Sequence, residues 1–134
     1  MPVVLDHVTV AARDRVAAAR MLAGVLGVPW DADGAVGSYS PVYVSEDLTL
    51  DFSQTDEPIV KQHLCFRTTQ SEFDAIVQRM RDTGVSFRSM SHGPDDCQIA
   101  RVYDGQRIYW NMPEGHVWEL LTVSYKRQSS VDRR

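Results

Sequence analysis

The 134-residue chain has only two cysteines, Cys65 and Cys97, set too far apart for a CxxC redox motif or a zinc knuckle. A disulfide-built scaffold and a thiolate-rich metal site are therefore not expected, and reduced thiols in a cytoplasmic protein are. Long apolar runs are missing as well. None approaches the roughly 20 residues that a membrane-spanning helix needs. The start, Met1 to Asp6, lacks the charged and apolar regions of a secretory signal. Nor is there an excess of positive charge: 14 Lys and Arg against 18 Asp and Glu leave a formal charge of −4, with the bases scattered apart from a short C-terminal cluster. Nucleic acid is a poor partner for such a surface, and no membrane partner is expected. What is present is an ordinary apolar fraction of 43%, enough for one domain or for two small modules sharing a core.

The chain reads as one pattern written twice. Val3 to Val10 is short and β-branched, which predicts a strand with Val4, Val8 and Val10 on one face and Leu5, His7 and Thr9 on the other. Asp14 offers an N-cap, Arg15 to Leu26 has helical apolar spacing, and Gly27 supplies the stop. Strands are expected over 39–44 and 47–53, with a short one near Trp30. The pattern restarts with a strand over 62–68. A helix follows, capped by Ser71 with Asp74 in a capping-box position, and Phe73, Ile76, Val77 and Met80 mark its apolar face up to Gly84. Strands over 85–90, 98–103, 106–111 and 116–124 complete the second copy, and 126–134 reads as a polar tail.

This order predicts an α+β fold: tandem βαβββ modules, about 3–54 and 61–125 within one domain 1–125, forming a curved, mostly antiparallel sheet with helices on the outer face. The free face of each module then carries the chemistry. His7 lies opposite Val8 and Val10, and His63 opposite Leu64 and Phe66. Asp51 lies opposite Leu50 and Phe52, and Glu119 opposite Trp118 and Leu120. One histidine on the first strand and one carboxylate on the last, in each module, is a donor set suited to a divalent transition metal such as Mn, Fe, Ni or Zn. Three protein ligands would leave positions open for substrate oxygens.

The tandem order and the segment Pro113-Glu114-Gly115-His116-Val117-Trp118-Glu119-Leu120 resemble the vicinal oxygen chelate superfamily, whose members commonly end in a Asp-Pro-Asp-Gly-His-x-x-Glu-Leu-type turn and strand. The superfamily includes glyoxalase I, fosfomycin-resistance thiol transferases, extradiol dioxygenases and bleomycin-resistance proteins. The resemblance runs from Leu5 to about Tyr125. It implies that His7, His63 and Glu119 hold the metal, and it places Asp51 where glyoxalase-type members carry a second carboxylate, usually glutamate. Aspartate is one methylene shorter, which leaves water-mediated binding, a proton-shuttle role or neither. His7 to Asp51 spans 44 residues and His63 to Glu119 spans 56, so the second module carries an insertion, expected in Ser91 to Asp96.

Three further residues share the second module's free face: Cys65, Arg67 and Tyr109 are candidate substrate contacts, against the plainer readings of a buried thiol, a surface ion pair and a packed ring. Trp110 and Trp118 read as core, and His92 and His116 as turn residues. The resemblance implies a metal-dependent enzyme for a small oxygen-chelating substrate, with isomerase or lyase, thiol transferase and dioxygenase chemistry all open, and a homodimer. The alternative is a metal-free protein that sequesters a small molecule, as bleomycin-resistance members do. Tyr39, Tyr43, Tyr103 and Tyr109 keep that reading open.

Overall fold

Alternating burial begins at His7, four residues later than the sequence pattern begins. In the computed structural model, which describes residues 3–127, β1 (His7–Ala12) buries Val10 and Ala12 and leaves His7 and Thr9 exposed. Val3, Val4 and Leu5 precede the first paired residue and remain exposed. Helix α1 (Arg15–Leu26) starts as expected: the Asp14 carboxylate accepts from the Ala17 N–H at 3.0 Å. It ends at Gly27, whose φ of 70° is the left-handed conformation that glycine adopts without steric cost. β2 (Tyr39–Tyr43) and β3 (Thr49–Gln54) complete the first sheet, in the order β1-β3-β2. β1 runs parallel to β3, and β2 antiparallel to it. The short strand expected near Trp30 is a single bridge to Val42.

The second sheet repeats this plan with one more strand. β4 (His63–Arg67), α2 (Gln70–Thr83), β5 (Ala100–Val102), β6 (Gly105–Asn111) and β7 (Val117–Leu121) give the order β4-β7-β6-β5, with β4 parallel to β7 and the other pairs antiparallel. The α2 cap is Thr69 rather than Ser71: its hydroxyl accepts from the Glu72 N–H at 3.3 Å, so the capping signature is Thr69-x-x-Glu72 and Ser71 falls inside the first turn. Phe73, Ile76, Val77 and Met80 are all buried, as their spacing predicts. The strand expected over 85–90 shrinks to one bridge, in which Arg88 and Tyr109 exchange N–H···O bonds of 2.8 Å. Beyond it the chain turns away, because Asp96 captures the Ser89 N–H (3.1 Å) and hydroxyl (2.8 Å) and the Arg88 guanidinium binds Asp95, Asn111 and the Ser91 carbonyl.

The chain divides into two compact units, Met1–Lys61 and Gln62–Arg134. Their bridges locate the insertion. Trp30 and Val42 are 12 residues apart and the corresponding Arg88 and Tyr109 are 21 apart, so the added length forms the Ser89–Ile99 loop and β5. Order also continues past β7: a 3-10 turn, Tyr125–Arg127, takes up the first two residues of the segment read as a polar tail. The rest of that tail, 128–134, lies outside the described residues. Among the described residues, no helix is long and apolar enough to cross a membrane.

Candidate functional site

Strand pairing sorts the second sheet into two faces. On one, Leu64, Trp118 and Trp110 lie side by side, as do Phe66, Leu120 and Ile108; all but the half-buried Leu64 are buried, and they form the core. On the other face the rows are His63, Val117 and Asn111, then Cys65, Glu119 and Tyr109, then Arg67, Leu121 and Arg107. The free-face residues predicted for this module therefore meet on three adjacent strands. His63, Cys65, Arg67 and Glu119 line a cavity of about 430 Å³, which the Tyr125–Arg127 turn helps to enclose; Tyr109 lies in the same row as Glu119 but outside that lining.

Glu119 is the centre of this face and is fully buried. Its Oε1 accepts from the Tyr125 hydroxyl at 3.0 Å and faces His63 Nε2 at 3.0 Å. Its Oε2 is buried without a hydrogen-bond partner. A carboxylate oxygen stripped of water and left unpaired is costly, which makes it the sort of atom a ligand or cation completes. The imidazole agrees. His63 Nδ1 lies 3.0 Å from the Val117 carbonyl, which can only accept, so Nδ1 carries a hydrogen and Nε2 meets the carboxylate with its lone pair or with a second proton. The contact is then either an ion pair or a pair of donors bridged by a cation. Nitrogen and oxygen donors so arranged fit a divalent transition metal, with the backbone carbonyl fixing the ring as supporting partners of metal-bound histidines do.

The other groups tune this centre. Loss of solvent pushes the Cys65 thiol up to about 12, with the neighbouring Glu119 charge reinforcing it. Cys65 is thus a neutral thiol at the cavity wall and not a thiolate nucleophile, although as a residue it is exposed and not the buried thiol of the plainer reading. Burial also raises the Tyr109 and Tyr125 phenols, keeping both as hydroxyl donors beside the carboxylate. Tyr109 itself is buried, and the Arg107 guanidinium stands 5.2 Å from its ring centre and 5.7 Å from that of Tyr125. His116, read as a turn residue, instead ties the two parallel strands at their entry: it is fully buried, and its Nδ1 accepts from the Gln62 N–H at 3.0 Å, just before β4.

The first unit holds the matching half-set. Thr9 pairs with Asp51 in the register in which Cys65 pairs with Glu119, so His7 and Asp51 occupy the positions of His63 and Glu119. His7 is exposed, and Asp6 Oδ2 holds its Nδ1 at 2.8 Å. That hydrogen bond, the Asp6 charge and the more distant Asp51 charge raise its pKa. Asp51 is half-buried. Among the described residues no three His, Cys, Asp or Glu side chains cluster as a finished metal site; the close pair is His63 and Glu119. Sequence reasoning missed Tyr125 and Arg107. The signal for both was present, an aromatic residue followed by Lys126 and Arg127, and an arginine two positions before Tyr109 on the same strand face.

No protein-family model matches the chain, and no curated protein does. Solved structures do. The structure named oxidase ChaP-H2 aligns with a TM-score of 0.84 at 32% identity, over 93% of this chain and 97% of that one. Oxidase ChaP-H1 aligns at 0.83 and 36% identity, over 92% and 98%. The fosfomycin resistance protein FosX from Mesorhizobium loti, at 0.67 and 21% identity over 96% and 98%, shares the fold.

Proposed function

The chain belongs to the vicinal oxygen chelate superfamily, and on that premise we propose that it is a metal-dependent enzyme acting on a small oxygen-chelating substrate. The observation that carries the reading is the buried Glu119 carboxylate, with one oxygen unpaired and the other facing a histidine nitrogen whose partner nitrogen is already engaged. His63 and Glu119 would hold the ion, and His7 is the third ligand that the superfamily resemblance implies. When bound, a metal of the Mn, Fe, Ni or Zn type supplies Lewis-acid stabilisation of negative charge on a substrate oxygen. The protein's own groups do the rest. Tyr125 orients the carboxylate, the neutral Cys65 thiol borders the substrate's place with Tyr109 beside Glu119 in the next strand, and Asp51 is the candidate proton shuttle.

Two considerations bear on the reaction type. An aspartate at position 51 departs from the second glutamate of glyoxalase-type isomerases. The likeness to two proteins named oxidases, at 32% and 36% identity, supports oxidative chemistry. The test is metal analysis of the purified protein beside Glu119→Ala and the near-isosteric Glu119→Gln. About one transition metal per chain in the wild type, lost in both folded variants, is the expected result. No metal in any of them, even after reconstitution with manganese, iron, nickel and zinc, would replace the enzyme reading with ligand sequestration. A sizing experiment on the same preparation tests the homodimer.

A further inference from the structure

The chain is acidic overall, yet the cavity beside Glu119 gathers positive charge. Arg67 at the end of β4 and Lys126 and Arg127 on the 3-10 turn all line it, and Arg107 lies in the same sheet row as Arg67, across Leu121. Among the described residues Glu119 is the only acid in the lining. Its single charge offsets one of the three cations and leaves the lining with a positive surplus. Among the described residues, no ion pair engages Arg67, Lys126 or Arg127. The turn that carries two of these cations is anchored to the site, because the Tyr125 hydroxyl bonds Glu119 and the Tyr125 ring sits against Arg107.

From this we infer that Arg67, Lys126 and Arg127 form an oxyanion subsite, and that the substrate carries a carboxylate or a phosphate-type group which they hold beside Glu119. The inference rests on the proposed function in taking this cavity as the substrate's place. The physical reasons are two. Arginine presents a planar fork of donors that matches carboxylate and phosphate oxygens, with lysine adding a point charge. Three cations gathered on one wall also raise the local positive potential, and because all three are solvent-exposed their attraction for an anion weakens as salt rises. The unpaired Glu119 Oε2 in the same wall marks this as a place built for an occupant. The cations grip one end of the ligand while the other end reaches the carboxylate–imidazole pair, so a substrate with both an anionic group and chelating oxygens is bound in a single orientation.

The test is calorimetric titration of the full chain with benzoate, phenylphosphonate and the neutral benzamide. The proteins are wild type, Arg67→Gln and the double variant Lys126→Gln/Arg127→Gln, with metal content measured on the same samples. All three positions are solvent-exposed, so the variants should keep the wild-type melting temperature, which is checked. The expected result is at least tenfold tighter binding of one or both anions than of benzamide. Each variant should lose about tenfold in anion affinity with no change for benzamide, corresponding to ~1.4 kcal/mol. A preference for benzoate marks a planar oxyanion, and a preference for phenylphosphonate a tetrahedral one; either bears the subsite out. Equal binding of benzoate and benzamide, or an Arg67→Gln protein that binds anions like wild type, overturns it. Charge-dependent anion binding in a protein that takes up no metal would uphold the subsite and remove the metal reading. Bound metal without anion preference would do the reverse.

Discussion

A buried carboxylate with two hydrogen-bonding needs and one hydroxyl partner makes Tyr125 a residue of consequence. Tyr125→Phe keeps the ring against Arg107 and removes only the donor to Glu119. Because the acceptor is charged and buried, the loss is expected to destabilise the protein by about 1–3 kcal/mol, read from urea unfolding. An unchanged midpoint would show that this hydroxyl does not support the carboxylate. Asp96 offers a test by pH. The Ser89 hydroxyl, the Gln98 N–H and the Ser89 N–H hold its carboxyl below the ordinary 3.8. The folded state therefore favours the charged form, so its contribution is present at neutral pH and disappears as pH falls through the lowered value. The melting-temperature gap between wild type and Asp96→Asn should be open at pH 7 and narrow as pH falls below 3.8; a constant gap contradicts the assignment. At this scale the sequence was most readable for residues on strand faces. Period-two alternation alone sets His63, Cys65, Glu119 and Tyr109 on one side. It is silent on Tyr125, which reaches Glu119 from beyond the last strand, where no periodicity extends.

Helix and strand boundaries divide into those that local chemistry dictates and those that packing dictates. Asp14, Gly27 and Gly84 act locally, and α1 and the end of α2 fall where the sequence puts them. The Thr69 cap was equally visible but competed with Ser71, two residues on; Thr69→Ala should cost about 1 kcal/mol of stability and Ser71→Ala much less, by thermal denaturation. Packing decides the β5–β6 hairpin. An Asp-Gly pair suggests a turn at Asp104 and Gly105, yet the left-handed residues are Tyr103 and Asp104, and Gly105 opens β6. The cause is tertiary: a Cβ on Gly105 would come within 2.8 Å of Thr122 Oγ1 and Val123. Gly105→Ala should therefore destabilise by about 1–3 kcal/mol through crowding, not backbone strain. A variant as stable as wild type would show that the 122–123 segment yields freely. The lost strand at 85–90 has a similar origin, since its polar residues bind the following loop and leave one bridge behind.

For the whole chain, the repeated register is the principal fact. Equivalent residues of the two units pair alike even though the units differ by a strand, which is why the tandem pattern and the histidine–carboxylate set could be read from sequence while the extra length could be placed only roughly. If His63 and Glu119 hold an ion, saturating metal stabilises the fold by mass action, about 2.7 kcal/mol at a hundredfold excess over Kd. His63→Ala should then abolish most of the metal-induced rise in melting temperature, whereas a full rise would show that the imidazole is not a ligand. The clamp at Arg88 and Tyr109 has a separate, practical consequence. Two 2.8 Å bonds close the base of the inserted loop, and at its tip His92 and Gly93 are exposed, with nothing within 4 Å of a Cβ built on Gly93. Each doubling of a loop's length costs only about 0.6 kcal/mol. The tip between those two residues is accordingly a port where a reporter peptide or an affinity handle can be grafted without shifting a strand beneath it.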